Sequence, residues 1–223
     1  MEPSVRTDRH AITAEEEAYR HIHAAICMGS YPSGIRLIPE VIATEIGTSR
    51  MPVREAFRRL SAEGLVTIRP NRGVTVNRFD VEDMKEIFEM RAVLEGLAVR
   101  LALPNMDAPA IARLERMLDG IDDSSGIQPD WTSAHREFHE ALCARSGRPR
   151  LMRQIASLHS MVEPHMRMWA RQADRPSSAR ADHQDLIDAL RGGDAQRCEA
   201  VMREHVMATV PDLMRSVPRA YDP

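Results

Sequence analysis

Four of the nine histidines in this 223-residue chain are spaced so that their rings can meet. His135 and His139 stand four apart in "WTSAHREFHEALC", sharing a stripe with Trp131, Phe138 and Leu142. A four-residue step keeps side chains on one side of an α-helix, so both imidazoles face inward. His183 leads Leu186, Ile187 and Leu190, and His205 belongs with Cys198, Val201, Met202 and Thr209. These two helical runs form an antiparallel hairpin around "RGGD". His183 lies about ten residues before the turn and His205 about twelve after it, so at 1.5 Å per residue the two are nearly level. Buried imidazoles must find partners. Two readings meet that need: a divalent transition metal, for which imidazole suits Zn, Ni, Cu or Fe(II), or a hydrogen-bonded histidine cluster.

A second chemistry belongs to arginine. In "TSRMPVREAFRRLSAEGL", residues 48–65, Arg50, Arg54 and Arg58 recur every four residues, while Val53, Phe57 and Leu60 form a separate apolar stripe. Between residues 50 and 78 there are seven arginines and two glutamates, in a chain of net charge −3. A local basic patch on an acidic protein points to a polyanion at that patch alone. Arg suits bidentate bonding to guanine O6 and N7, and also phosphate. Arg91 shares a stripe with Met84, Ile87, Leu94 and Ala98 and so points inward, where it needs an anion. That anion is either a ligand carboxylate or Glu95, one turn along.

The elements that must position these groups follow from breakers and periodicity. Residues 15–29 read as a helix with an acidic first turn. "SYPSG" is a turn. Residues 39–46 make a short helix with Pro39 near its start, ended by Gly47. Ser49 is the expected N-cap of a helix over 51–63, with Pro52 in its first turn. "LVTI" (65–68) and "GVTV" (73–76) read as strands joined by "RPNR", with Asn71 and Gly73 at the hairpin tip. Helix, helix, tight turn, helix, hairpin is the order of a winged helix-turn-helix, in which a helix after a tight turn lies in the major groove. The backbone amides of its first turn can bind a further phosphate, and Arg69 and Arg72 at the wing tip reach phosphate or the neighbouring groove. From residue 80 on, six helices are expected, at 80–103, 107–121, 130–146, 148–172, 177–191 and 194–216. The expected organisation is a flexible stretch 1–14, a DNA-binding domain 15–78 and an all-helical domain 79–217. The fold class is mainly α.

No run approaches the ~18 apolar residues of a membrane span, and the first twenty residues have no apolar core of the kind a signal peptide carries. Cys27, Cys143 and Cys198 are odd in number and far apart, which reads as reduced thiols in a cytoplasm.

The segment "SRMPVREAFRRLSAEGLV" resembles the family pattern SRTPVREALxRLxxEGLV of GntR-type bacterial repressors, over about residues 15–77. The resemblance implies that Arg50, Arg54, the Met51-Pro52 turn and Gly73 sit at the DNA interface, with Met51 in place of the usual Thr. Residues 80–216 resemble the all-helical FCD effector domain. The landmarks are "RAVLEGLAVRLA", "FHEAL", "SGRPRL" and "DHQDLIDALRGGDAQRCEAVMREHV". In that subgroup an Asp and three histidines bind a metal at the floor of a pocket for small carboxylates. His139, His183 and His205 match, and His135 stands where the Asp usually is. "SGRP" puts Arg148 at a position usually held by Asn. His165, after Pro164, also faces inward, where it either packs in the core or lines the same expected pocket.

The expected function is therefore a ligand-responsive, cytoplasmic DNA-binding regulator and repressor. It would act as a homodimer on a palindromic double-stranded operator and sense a small carboxylate beside a metal, with zinc favoured and nickel next. Two rivals stand: a DNA-binding regulator whose metal or histidine cluster is purely structural, and a metalloenzyme fused to a DNA reader. Against the enzyme, there is no HExxH, and four protein ligands leave little room at a tetrahedral metal.

Overall fold

Thr13 caps the first helix, its hydroxyl accepting from the Glu16 amide at 3.1 Å. The computed structural model describes residues 13–122, 131–172 and 179–216; the expected flexible stretch 1–14 lies almost wholly outside these. Contacts within the chain group it into two units, Met1–Asn77 and Arg78–Pro223.

In the first unit, α1 (Ala14–Cys27), α2 (Pro39–Glu45) and α3 (Arg50–Ala62) surround a core of Ile22, Ile42, Val53, Phe57 and Leu60, all nearly or wholly buried. These are the apolar positions of each helix period, and Phe57 alone is worth about 3–5 kcal/mol by the usual cost of large-to-alanine core truncation. A small antiparallel sheet follows, β1 (Arg36–Leu37), β2 (Val66–Arg69) and β3 (Gly73–Val76), in the order β1-β3-β2. β1 was not foreseen. Two residues are too few to show alternation, and Arg36 and Leu37 are strand only because Thr75 and Val74 pair with them. The hairpin turns through Asn71 at φ 59° and Gly73 at φ 88°, the left-handed backbone that these two residue types tolerate. Ser49 stands at the N-cap of α3 in extended conformation, but its hydroxyl makes no capping bond, so it stabilises the helix start by backbone geometry only.

The second unit is helical throughout its described residues. α4 (Val81–Ala102) opens with a reciprocal cap. Asp80 accepts from the Asp83 amide at 2.9 Å, and Asp83 accepts from the Asp80 amide at 3.0 Å. Around it lie α5 (Ala108–Asp122), α6 (Trp131–Ala144), α7 (Pro149–Gln172), α8 (Ala179–Gly192), α9 (Ala195–Ala208) and α10 (Val210–Ser216). α4 is the central helix, touching α6, α7, α9 and α10. At Gly96 it lies tight against α9, where an added Cβ would lie 2.8 Å from Arg203 Cγ and 3.2 Å from Glu199. The core of this unit includes Phe88, Leu118, Phe138, Leu142, Ile155 and Leu186.

The expected single helix over 194–216 is two helices. α9 ends at Ala208 and α10 begins at Val210, with Thr209 between them. Pro211 is the cause. Proline has no amide to continue the first helix and crowds the preceding turn, yet it suits the first turn of a new one.

Candidate metal centre and nucleic-acid interface

α6 presents His135 and His139 one turn apart, α8 presents His183 and α9 presents His205. Each of the four offers one ligand atom, and these atoms all lie within 4.8 Å of one another. Ring centroids are 4.5 Å apart for His135 and His139, and 4.4 Å for His183 and His205. The α8–α9 hairpin makes the last pair level, as its residue count requires. His135, His139 and His183 are buried, and His205 is partly so.

The protonation chemistry favours a ligand set. Burial, reinforced by the neighbouring imidazoles, holds His135 and His205 well below the ordinary histidine range, so both rings are neutral at pH 7 and offer lone pairs. His139 Nδ1 lies 2.8 Å from Glu95 Oε2. A carboxylate only accepts, so Nδ1 carries the proton and, in that tautomer, Nε2 is bare. That bare nitrogen faces His205 Nε2 at 3.1 Å. His205 Nδ1 is buried without a hydrogen-bond partner. Four imidazole donors, one with its tautomer fixed by an outer carboxylate, fit a borderline divalent ion of the zinc or nickel kind and not a hard oxygen-seeking one.

Around the cluster the packing is aromatic. Trp131 stacks on His135 at 4.8 Å and meets Trp169 edge-on at 5.7 Å, while Phe138 sets its edge against His183 at 5.2 Å. Glu95 is wholly buried, and Arg91 nearly so. Arg91 Nε donates to Glu95 Oε1 at 2.9 Å, His159 Nε2 lies 2.9 Å from the same oxygen, and Arg91 Nη2 lies 3.3 Å from His159 Nε2. Burial alone would raise the Glu95 pKa. The Arg91 charge, with His159 and the hydrogen bonds from both histidines, outweighs it and holds the carboxyl well below its usual range. His159 is pushed down to about 4, chiefly by burial and then by Arg91. With His159 neutral at pH 7, Arg91 is the permanent counter-charge of Glu95.

Of the two anions open to Arg91, the structure supplies Glu95 at i+4. Arg148 stands elsewhere. It is exposed at the start of α7, beside an open cavity of about 490 Å³ that Leu97, Leu101 and Leu151 also line, with none of the four histidines. His165 sets its ring edge-on to Phe79 at 5.9 Å, and burial lowers its pKa. The residue that spacing missed is His159. No other histidine of α7 stands at helical spacing from it, so only its juxtaposition with α4 reveals it.

In the first unit, Arg50, Arg54 and Arg58 are exposed on α3, opposite the buried Val53, Phe57 and Leu60. Arg50 reaches Glu40 at 3.1 Å and Arg58 pairs with Glu55, contacts across exposed surface that water screens and a phosphate can displace. Arg59 points away from that stripe, 3.5 Å above the Tyr19 ring and bonded to Glu16 and Glu63. Met51 is 62% exposed beside Pro52 at the helix start. Arg69, Asn71 and Arg72 are exposed at the wing tip. Gly73 there abuts Arg36, whose Nε would lie 2.9 Å from an added Cβ. Arg36 is thus a further wing cation, unmarked in the sequence because β1 itself was.

Comparison with known proteins agrees with this layout. The model of the gntR family of bacterial regulatory proteins matches residues 14–76, and the FCD domain model matches residues 86–208. The transcriptional repressor GlaR of Escherichia coli is 25% identical over 211 residues, covering 90% of this chain and 96% of that protein. A probable D-xylose utilization operon repressor of Paenarthrobacter nicotinovorans is 31% identical over 193 residues, covering 83% and 82%. The solved structure of E. coli McbR/YncC superposes with a TM-score of 0.76 at 25% identity, over 92% of this chain and 99% of that one. These relatives are transcriptional regulators, which removes the metalloenzyme reading, and no described helix is long and apolar enough to cross a membrane. With a gntR reader on residues 14–76 and an FCD domain on 86–208, the chain belongs to the GntR family of DNA-binding transcriptional regulators.

Proposed function

We propose that this regulator is a cytoplasmic repressor that binds a palindromic operator as a homodimer and senses a small carboxylate metabolite above a metal held by His135, His139, His183 and His205. Zinc is the favoured ion and nickel the next. The observation that carries this reading is the convergence of four imidazoles, with ligand atoms within 4.8 Å of one another, from three different helices. The ion's part is to offer a Lewis-acidic point for a carboxylate oxygen. Four neutral ligands cancel none of its charge, so an anion is a fitting further ligand. Arg91 is committed to Glu95 through Nε, and its terminal nitrogens are the groups left to meet an incoming carboxylate. Arg50, Arg54 and Met51 address the major groove, while Arg36, Arg69 and Arg72 address the wing side. Induction follows if the acid binds the DNA-incompetent arrangement more tightly.

The Arg91–Glu95 pair is also the observation that favours a second reading, a structural metal with no acid effector, because the inward guanidinium already has its anion. One experiment separates the two. Untagged protein is assayed for metal per chain, and melting and operator binding are then followed with a panel of small carboxylates. About one Zn or Ni per chain, lost in a His183→Ala/His205→Ala variant, with one acid class raising the melt and releasing DNA, supports the sensor. Metal without any acid response supports the structural reading. No metal refutes both metal readings and leaves a structural histidine cluster.

A further inference from the structure

Met51 is the most exposed large apolar side chain among the described residues, at 62%. A single exposed apolar residue is ordinary, but this one stands among cations. Leu60, wholly buried, follows nine residues later, or about two and a half turns, so Met51 points straight away from the core of its unit. Its helical neighbours on that outer side are Arg54 at i+3 and Arg58 at i+7, with Arg50 one residue before it, all exposed. The methionine is thus an apolar position set inside the cationic stripe of α3. It lies in the first turn of that helix, where the Ser49 hydroxyl makes no capping bond, so the first amides are not taken up by that side chain. A thioether has no hydrogen to donate and carries no charge, so Met51 has nothing to offer a phosphate.

We infer that Met51 reads the C5-methyl group of a thymine, one in each half-site of the operator. This rests on the reading above, in which α3 addresses the major groove. Every base pair offers donors and acceptors in that groove, but the thymine methyl is the one apolar group there. An unbranched, polarizable thioether suits the contact, because its torsions adapt to where the methyl lies. Phosphates drawn to Arg50, Arg54 and Arg58 fix the register of α3 and carry no sequence information. They also close the groove around the centre of the stripe, so the thioether and the methyl leave water together. Met51 therefore adds a preference at one T·A pair that arginine–phosphate contacts cannot supply. A C·G pair at that place is disfavoured twice over: it has no methyl, and its cytosine amino donor faces a side chain that is only a weak acceptor.

The test uses the full chain and a duplex that it selects from a random-sequence pool. Each thymine of that duplex is replaced in turn by deoxyuridine, which keeps the base pairing and removes only the methyl. Binding is followed by fluorescence anisotropy. At one thymine of each half-site, replacement is expected to weaken binding about four-fold, the worth of one methyl-sized group left in water. In Met51→Ser, the thymine and uracil duplexes should bind equally. The position is exposed and serine suits a first helical turn, so the variant folds. The ratio between the two duplexes, unlike the affinity itself, does not move with the amount of active protein. Arg54→Ala reports on the docking of α3. If Arg54→Ala weakens binding but no thymine is sensitive, or the sensitivity persists in Met51→Ser, the Met51 assignment is overturned and the docking of α3 stands. If Arg54→Ala binds like wild type, or no sequence is enriched, both fall.

Discussion

Glu95→Gln tests the buried electrostatics most directly, because it removes one charge and almost no volume. Glu95 is wholly buried and holds three groups at once: Arg91 Nε at 2.9 Å, His139 Nδ1 at 2.8 Å and His159 Nε2 at 2.9 Å. The glutamine leaves Arg91, 3% exposed, without its anion. Its remaining favourable contacts are His159 and the Phe88 ring, 4.7 Å from Arg91 Cζ. Breaking a buried ion pair from one side costs about 3–5 kcal/mol. At ~2–4 °C per kcal/mol that is a fall of about 10 °C in Tm. The glutamine oxygen can serve Arg91 or His139, but not Arg91 and both histidines, so His139 also loses the partner that fixes its tautomer. Metal affinity should then fall about 10–100-fold, the usual effect of removing an outer partner of a ligating histidine. The assays are urea unfolding with chelator present and metal titration of the stripped protein. Adding Arg91→Met to Glu95→Gln should recover about 2 kcal/mol relative to the sum of the single effects, since the stranded charge is then gone. A cost below about 1 kcal/mol for Glu95→Gln, or strict additivity in the double variant, would refute the claim that Arg91 depends on Glu95.

Four further outcomes are expected. The metal-free protein should lose stability as pH falls below 6.5: unfolded histidines take up protons there, whereas His135 and His205 are held well below that value when folded, and Glu95 adds a loss of the same sign in stronger acid. A urea midpoint that rises between pH 7.5 and pH 5 would contradict this. Arg54→Ala should weaken operator binding by about 1–3 kcal/mol, and Arg72→Ala should lower the salt slope of binding by about one, both read by fluorescence anisotropy at several ionic strengths. Gly73→Ala should cost about 1–2 kcal/mol, because φ is +88° there and the new Cβ pushes the flexible end of Arg36 aside; calorimetry of the full chain checks it.

Apart from β1, the order of elements from Thr13 to Val76 was legible because caps, Pro-Gly breakers and apolar periods are local signals. So was the inward placement of His135 and His139, which helical spacing fixes. The level pairing of His183 with His205 needed only the residue count on each side of a tight turn. The break at Thr209 was missed because helical periodicity continued through Pro211, and β1 because a two-residue strand has no pattern of its own. What the sequence by itself determined is which faces point inward. What only the tertiary structure decided is which inward groups meet. His159 with the Arg91–Glu95 pair, and His139 with both Glu95 and His205, depend on the rotation and offset of α4, α6, α7 and α9 against one another. Close packing of whole cores sets those quantities, and Gly96 against α9 is one visible part of it. No spacing within a single helix encodes them.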